Sequence, residues 1–296
     1  MHNLRLLSFA AWSAPIGLWR FFLRMTTKFR WLLSLAIAGV CSATLIAQPP
    51  PPASGITGIA HIAFRVSDLN REIAFLGKLG YQESFAMTNA GKTTEAFIKI
   101  NDRQFIELYP QADPSQPLGW MHVCFEAGDL NVLQHYYASE GLNPSPVRKA
   151  AAGNLISSFN DPEGRVTEFT QYMPGSRHTL DIGQHLGAAR VSAELMGIDL
   201  PVREGAAMKE FYTDLGFEAE NTNGNVRLTT PGAPDLHIEL RAAAPGANPE
   251  FLFLVPDAKK AYEALEYAGA NAQRNGGLVF VRDPDGNLFV FLATGR

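Results

Sequence analysis

Cysteine is nearly absent from this sequence, whose 296 residues contain only Cys41 and Cys124. If the N-terminal segment that carries Cys41 is removed, one cysteine remains and no disulfide can form within the chain. Charged residues are also few, at 18%, whereas 46% of the residues are hydrophobic. This balance excludes a disordered chain and predicts a globular protein, which at 296 residues is expected to form two domains of ordinary size.

Acidic residues are missing from the first 47 residues, although the whole chain contains 29 of them against 25 lysines and arginines. The remainder of the chain is therefore more acidic than the formal net charge of −4 suggests. A nucleic-acid partner would need a basic face, so we expect none. The basic residues of the N-terminal segment are Arg5, Arg20, Arg24, Lys28 and Arg30.

Within this segment, residues 25–47 follow the order of a secretory signal. A short basic stretch, residues 25–30, precedes an apolar stretch, residues 31–40, and the small residues Ala43 and Ala47 offer cleavage points. We expect export to the periplasm or the exterior, with membrane contact only through the signal.

Two further hypotheses concern the same segment. Residues 1–24 fit poorly in front of a signal, which suggests that translation starts at Met25. A permanent membrane anchor over residues 31–47 is the alternative to cleavage, although 17 residues are at the short end for a membrane span.

The rest of the chain repeats one structural plan four times. Two Asp-Pro-x-Gly turns, residues 161–164 and 283–286, are each followed by an apolar strand. Two predicted helices end in similar motifs, Leu79-Gly80-Tyr81 and Leu215-Gly216-Phe217. Each unit reads as strand, helix and three strands, which predicts an α+β fold of four βαβββ units in two domains. The expected boundaries are a signal segment at 1–47, a Pro-rich linker at 48–55, a first domain at 56–173, a linker at 174–190 and a second domain at 191–294.

This order of motifs resembles the vicinal oxygen chelate superfamily, which includes glyoxalase I, bleomycin and fosfomycin resistance proteins, and extradiol dioxygenases. The resemblance covers roughly residues 56–294 and depends on strands bearing His61 and His122, on the helix ends and on the two turns. It implies sheets that curl into an open cup around a metal ion, with the central strands of paired units face to face.

The resemblance also implies a set of metal ligands. In the superfamily they come from the first strand of each unit and from its last strand, and the matching residues here are His61, His122 and Glu168. Two imidazoles and a carboxylate suit a divalent transition metal such as Fe, Mn, Ni or Zn, and they leave coordination positions open for substrate.

The second domain provides an internal comparison for these three residues. The corresponding positions there are Gly197, Glu250 and Val290, so a strand of this fold does not need the ligand-type residues in order to form. Their joint presence in the first domain favours a metal site there, and we expect no metal in the second domain.

Glu107 is a fourth candidate ligand, because the resemblance to glyoxalase I implies four ligands and Glu107 lies where the second would be. The same comparison leaves this assignment open, since Glu239 recurs at the matching place in the second domain. Glu168, Glu107 and Tyr172 are the candidate catalytic residues. Side-chain alternation along strands places Tyr172, Tyr109 and Arg65 on the faces that bear the ligands, at the expected mouth of the cup.

Three other histidines are expected to lie outside the ligand set. We expect His135 to lie on the surface of the second helix. His178 and His185 are in the linker and reach the site only if the linker folds back. Cys124 shares a strand face with His122.

Two classes of function follow from the resemblance. The first is a divalent-metal-dependent enzyme acting on a small oxygenated substrate, either a glyoxalase-like isomerase or lyase, which uses four ligands and a glutamate base, or an extradiol-type dioxygenase. A dioxygenase uses three ligands, Fe(II) and an acid–base His or Tyr. The alternative is a metal-free module that binds or sequesters a small molecule. The sequence does not indicate the oligomeric state.

Overall fold

The computed structural model describes residues 55–230, 232–244 and 247–293. The predicted signal segment and nearly all of the Pro-rich linker lie outside these residues. No helix in the described part of the chain is long and apolar enough to cross a membrane. The first half contains β1 (Ile56–Val66), α1 (Leu69–Lys78), β2 (Gln82–Asn89), β3 (Lys92–Lys99), β4 (Phe105–Pro110), β5 (Gly119–Ala127), α2 (Leu130–Ser139), β6 (Arg148–Lys149), β7 (Leu155–Asn160) and β8 (Val166–Gln171).

A short helix in the linker, α3 (Arg177–Leu180), separates the two halves. The second half repeats the order of the first. It contains β9 (Leu195–Val202), α4 (Gly205–Asp214), β10 (Glu218–Thr222), β11 (Asn225–Thr230), β12 (Ala233–Ala242), β13 (Glu250–Val255), α5 (Ala258–Tyr267), β14 (Gln273–Asn275), β15 (Leu278–Arg282) and β16 (Leu288–Ala293).

Each half forms one eight-stranded sheet, with the orders β2-β3-β4-β1-β5-β8-β7-β6 and β10-β11-β12-β9-β13-β16-β15-β14. The predicted α+β fold of four βαβββ units is therefore confirmed. The expectation that the central strands of paired units face each other is wrong. In the first sheet β1 and β5 are antiparallel neighbours joined by hydrogen bonds, and each has a parallel strand, β4 or β8, on its other side.

The helices begin and end where the sequence motifs predict. Asp68 caps α1 by accepting a hydrogen bond from the backbone N–H of Arg71. Gly80 follows the helix with φ +82°, and a Cβ there would lie 2.4 Å from the carbonyl oxygen of Ala189. Glycine is therefore required at this position both by the left-handed backbone and by the close approach of the linker.

The main hydrophobic core lies between the two sheets. The rings of Phe64 and Phe251 approach to 4.8 Å between centroids, and those of Phe125 and Phe217 approach to 5.1 Å. Alternation along β1 directs Phe64 into this core, so His61, an odd number of residues away, is directed to the opposite face of the sheet. The candidate site therefore lies on the face of the first sheet that points away from the second.

The turns that define the repeat also join the two halves. Glu163, in the first Asp-Pro-x-Gly turn, accepts hydrogen bonds from the backbone N–H groups of Arg203 and Glu204 at 2.6 and 3.0 Å. Asp285, in the second turn, accepts one from the N–H of Ser67 at 2.7 Å. Each turn thus supplies a carboxylate to the start of a helix in the other half, where backbone donors lack intrahelical partners.

Candidate metal centre

Four adjacent strands of the first sheet each contribute one candidate ligand. Glu107 is on β4, His61 on β1, His122 on β5 and Glu168 on β8, and these strands are consecutive in the sheet. Adjacent strands lie about 4.8 Å apart. Four side chains on one face of consecutive strands can therefore converge on a point above the middle pair.

The pairing register places the four residues with local two-fold symmetry. Ala63 on β1 pairs with Glu107 on one side and with His122 on the other. Cys124 on β5 has the same relation to the other two candidates, since it pairs with His61 and with Glu168. Each histidine therefore lies diagonally across the β1–β5 pair from the other, as the two-unit repeat requires.

Nε2 of His61 lies close to ligand-type atoms of two other candidates on this face. Nε2 of His61 lies 3.1 Å from Nε2 of His122 and 3.5 Å from Oε1 of Glu168. Ligands at about 2.1 Å from a metal ion and at right angles to each other are separated by about 3.0 Å. Each of the two separations suits a pair of ligands to one divalent ion. The two sets of residues whose ligand-type atoms all lie within 4.8 Å of one another are His61, Cys124 and Glu168, and His61, Glu107 and His122, so His61 is the residue that the two sets share.

Glu107 lies on the other side of the His61 ring. Its Oε1 is 3.2 Å from Nδ1 of His61, and its Oε2 is 3.1 Å from the hydroxyl of Tyr109. This is the position of a carboxylate that orients a metal-binding imidazole and fixes its tautomer. His61, Glu107 and His122 nevertheless also offer ligand-type atoms within 4.8 Å of one another. Glu107 is thus brought to the site, in contact with a nitrogen of His61 that faces away from His122.

The two imidazoles are suited to metal binding because they are neutral. Burial lowers the pKa of His122 to about 4, and burial followed by the nearby His122 and His178 places the pKa of His61 well below its ordinary value. Neutral rings leave a nitrogen lone pair free for a metal ion.

The carboxylates are shifted in the opposite direction. Burial raises the pKa of Glu168 to about 7, and burial followed by Glu95 and Glu168 raises that of Glu107 well above its ordinary value. A divalent cation at the meeting point would offset the cost of these buried negative charges. The donor set and its electrostatics therefore fit a divalent metal ion.

Cys124 lies beside His61 and Glu168 and had no predicted role. His61, Cys124 and Glu168 form a second group whose ligand-type atoms are within 4.8 Å of one another. Burial, and then the negative charges of Glu168 and Glu107, raise the pKa of the thiol well above its ordinary value. The thiol is therefore protonated while no metal is bound. Binding of a metal ion releases the protons of its ligands, so Cys124 remains a possible ligand together with His61 and Glu168.

A cavity of about 210 Å³ opens beside His61 and Glu168. Tyr109 and Tyr172 line it, as the strand alternation predicts. Arg65 does not, and its predicted place at the mouth is wrong, because its guanidinium instead donates to the carbonyl oxygen of Pro117 at 3.1 Å. Arg65 is four residues beyond His61, which along a strand is about 13 Å.

Several residues that line the cavity were not assigned to it from the sequence, or only on the condition that the linker folds back. They come from β3, from β6 and the loop after it, and from the linker, and among them are Glu95, Phe97, Arg148, Asn154 and His178. His178 reaches the cavity because the linker folds back over the cup. His185 does not line it and instead lies 2.6 Å from Asp181. His135 lies exposed on α2, as expected.

The second sheet has the same register without the ligands. Gly197 takes the place of His61, and a Cβ at Gly197 would lie only 2.3 Å from the carbonyl oxygen of His237. Glu250 takes the place of His122 and is bound by Arg241, whose guanidinium lies 3.4 Å from Glu250 and 2.6 Å from Asp199. An arginine therefore supplies the positive charge here. Both metal-type groups found among the described residues are in the first domain.

Comparison with known proteins identifies the family. The model of the Glyoxalase/Bleomycin resistance protein/Dioxygenase superfamily matches residues 58–169 and 194–291. The chain belongs to this superfamily, as the sequence motifs predicted. No curated protein matches the chain.

Solved structures share the fold of the whole two-domain unit. The 2,3-dioxygenase LapB from Pseudomonas sp. KL28 has a TM-score of 0.64 at 16% identity, over 82% of this chain and 94% of that chain. The Mn(II)-bound glyoxalase from Novosphingobium aromaticivorans has a TM-score of 0.61 at 16% identity, over 81% and 83%. The homoprotocatechuate 2,3-dioxygenase from Arthrobacter globiformis has a TM-score of 0.59 at 16% identity, over 83% and 82%. At this level of identity the likeness concerns the fold alone.

Proposed function

We propose that this protein is a divalent-metal-dependent enzyme that binds a small substrate through two adjacent oxygen atoms. His61, His122 and Glu168 are the proposed metal ligands. The observation that carries this proposal is the closeness of Nε2 of His61 to Nε2 of His122 and to Oε1 of Glu168, at 3.1 and 3.5 Å. When bound, a divalent ion with three protein ligands polarises substrate oxygens at its open positions.

The surrounding residues have separate tasks. Glu107 accepts a hydrogen bond from the Nδ1–H group of His61, so that Nε2 keeps its lone pair and the ring is held in place. The Tyr109 hydroxyl, between Glu107 and Glu95, holds the Glu107 carboxylate in turn. The proposed site is therefore preorganised from both sides of His61.

The cavity limits the size of the substrate. The cavity has a volume of about 210 Å³. This is only slightly larger than an apolar cavity of roughly 150 Å³ that holds one benzene molecule. Phe97, Ile156 and Tyr172 supply apolar and aromatic walls. A substrate of about one ring fits inside, whereas a tripeptide conjugate would extend beyond the mouth.

Ring-opening dioxygenation of a small aromatic diol is the first candidate reaction. It requires three protein ligands, and Glu107 faces Nδ1 of His61 rather than the meeting point of the Nε2 atoms. LapB and the homoprotocatechuate enzyme, which share this fold, are dioxygenases. A glyoxalase-like isomerase or lyase is the second candidate, favoured by the grouping of Glu107 with His61 and His122.

Metal analysis of protein purified without added metal tests the proposal. One equivalent of Fe, together with oxygen consumption on addition of catechol, supports dioxygenation. One equivalent of Ni, Zn or Mn without oxygen consumption supports isomerase or lyase chemistry. A protein that takes up none of these ions contradicts the proposal and supports the metal-free binding module.

We also propose that the protein is exported, on the strength of the basic, apolar and small-residue order of residues 25–47. The mature chain is then expected to begin between Ser42 and Pro49. N-terminal sequencing of the protein from its native cells checks this, and recovery of Trp31 in the mature chain would favour the membrane anchor.

A further inference from the structure

Cys124 lies between two of the proposed ligands. It is fully buried, and alternation along β5 places it on the same face of the sheet as His122. The pairing register sets it directly opposite His61 on β1 and directly opposite Glu168 on β8. Side chains that face each other on neighbouring strands have Cβ atoms about 5 Å apart. The thiol is therefore a lateral neighbour of both an imidazole and a carboxylate.

The sulfur belongs to a compact set of ligand-type atoms. Sγ of Cys124, a carboxylate oxygen of Glu168 and a ring nitrogen of His61 all lie within 4.8 Å of one another. A sulfur at about 2.3 Å and a nitrogen or oxygen at about 2.1 Å from one ion are about 3.1–3.6 Å apart, depending on the bond angle. Side-chain adjustments of about 1–2 Å at most therefore bring all three atoms onto one ion.

The thiol has no strong competing partner among the described residues. Its hydrogen bond goes to the carbonyl oxygen of its neighbour Phe125, at 3.7 Å between sulfur and oxygen. A thiol is a weak donor, so this contact costs little to give up. A buried cysteine often serves as a small apolar side chain. At this position, however, its neighbours on both adjacent strands are groups that bind metals.

Two equivalent positions show that the fold does not need a thiol at this place. Ala63 takes the place of Cys124 in the first unit, since it pairs with the other two candidates, Glu107 and His122. In the second domain, which lacks the ligands, Leu252 takes the same place. Alanine and leucine complete the sheet there, so the sulfur is not required for folding. Its presence in the first domain is explained if it binds the metal.

We propose that Cys124 is a thiolate ligand of the metal ion, together with His61 and Glu168. This inference rests on the proposed function and adds a ligand to the same site. On binding, the ion displaces the proton of the thiol, which passes to solvent, and a metal–sulfur bond forms. With His122 the site then has four protein ligands, and a six-coordinate ion keeps two positions for the two substrate oxygens.

A sulfur ligand changes which ion the site prefers. Thiolates favour ions such as Zn²⁺, whereas Mn²⁺ is better matched by carboxylates and water. We therefore expect the site to prefer Zn²⁺ to Mn²⁺. Ring-opening dioxygenation requires three protein ligands, so a fourth one favours the isomerase or lyase candidate.

Spectroscopy of the metal-loaded protein tests for the metal–sulfur bond. A thiolate bound to Co²⁺ gives a strong near-ultraviolet charge-transfer band, and we expect the metal-free protein to bind one equivalent of Co²⁺ and to show this band. X-ray absorption of the Zn²⁺-loaded protein is expected to show one sulfur at about 2.3 Å from the ion. The chain has one other cysteine, Cys41, and Cys41→Ser should keep both signals.

Substitution provides the second test, with Zn²⁺ and Mn²⁺ affinities measured against a competing chelator. Cys124→Ala installs the residue found at the equivalent position 63, and it should lose the Co²⁺ band. We expect its Zn²⁺ affinity to fall about tenfold or more and its Mn²⁺ affinity to stay within about threefold of wild type. Leu252→Ala, at the equivalent place in the second domain, is the matched control and should bind both ions as wild type does.

The outcomes separate this inference from the proposed function. One equivalent of bound Co²⁺ without the charge-transfer band overturns the role of Cys124 and leaves the metal site intact. A band that persists in Cys124→Ala also overturns it. Should Cys124→Ala fail to fold, the wild-type band, its persistence in Cys41→Ser and the sulfur signal at Zn²⁺ decide the question. A wild-type protein that binds neither Co²⁺ nor Zn²⁺ overturns both proposals together.

Discussion

Oε1 of Glu107 lies 3.2 Å from Nδ1 of His61, the ring nitrogen that does not face His122. One imidazole cannot direct both of its nitrogens at the same metal ion. We therefore propose that Glu107 supports the His61 ring, whereas Glu168 lies on the Nε2 side of the ring, where a metal ion would bind.

We predict that Glu107→Gln still binds one divalent ion per chain, with affinity reduced about 10- to 100-fold, because the amide holds the His61 ring less firmly. Titration with Zn²⁺ against a competing chelator measures this. Glu239→Gln, at the corresponding place in the second domain, is the matched control and should leave the affinity unchanged. Complete loss of the ion in Glu107→Gln would instead identify Glu107 as a fourth ligand.

The second prediction compares His122 with its counterpart Glu250. His122→Ala should lose most of the bound metal, because it removes one of the three proposed protein ligands, whereas Glu250→Ala should keep it. Both should fold, and metal content after dialysis together with thermal melts of the metal-free proteins checks this. Equal metal content in the two variants would mean that the first domain is not the metal site.

The fold was predictable because it depends on local and periodic signals, and turn spacing revealed the four units. The resemblance to the superfamily pointed to His61, His122 and Glu168, and alternation of side chains along strands then listed the residues that share their faces. Alternation gives a face but not a position along it, which is why Arg65 was wrongly placed near the cavity.

His178 was not predictable because the path of the linker depends on tertiary contacts. Lys99, fully buried, forms ion pairs with Asp181 at 3.0 Å and with Asp102 at 2.8 Å. Asp102 also accepts the backbone N–H of Gly183 at 2.8 Å. These contacts return the linker to the first domain, and no periodic pattern in the sequence records them.

The third prediction concerns the reciprocal contacts between the domains. Glu163→Ala removes the acceptor for the N–H groups of Arg203 and Glu204, and Asp285→Ala removes that of Ser67. Each should lower the free energy of unfolding by about 1 kcal/mol, as loss of a helix cap does. Because the two sites share no partners, the double variant should show the sum of the two changes. Urea denaturation measures all three, and an unchanged stability in both single variants would rule out a capping role.

The last prediction concerns Glu72, a buried glutamate of α1 with 2% of its surface exposed. Burial raises its pKa to about 9, with smaller contributions in the same direction from Asp283 and Asp285. The folded protein therefore keeps this proton up to about pH 9, whereas the unfolded chain releases it near its ordinary value of 4.5. Between these two values the folded state binds more protons, so its stability falls as the pH rises.

Glu72→Gln removes this titration and keeps the shape of the protonated side chain. We expect the variant to gain stability over wild type as the pH rises from about 5 to about 8, by at most about 1.4 kcal/mol per pH unit. Denaturant unfolding of the two metal-free proteins at several pH values measures the difference between their free energies of unfolding. All other titrating groups are the same in both proteins, so their contributions cancel in this difference. Glu83→Gln, at an exposed position of β2, is the control and should follow wild type. A constant difference between Glu72→Gln and wild type across this range would show that Glu72 ionises normally in the folded protein.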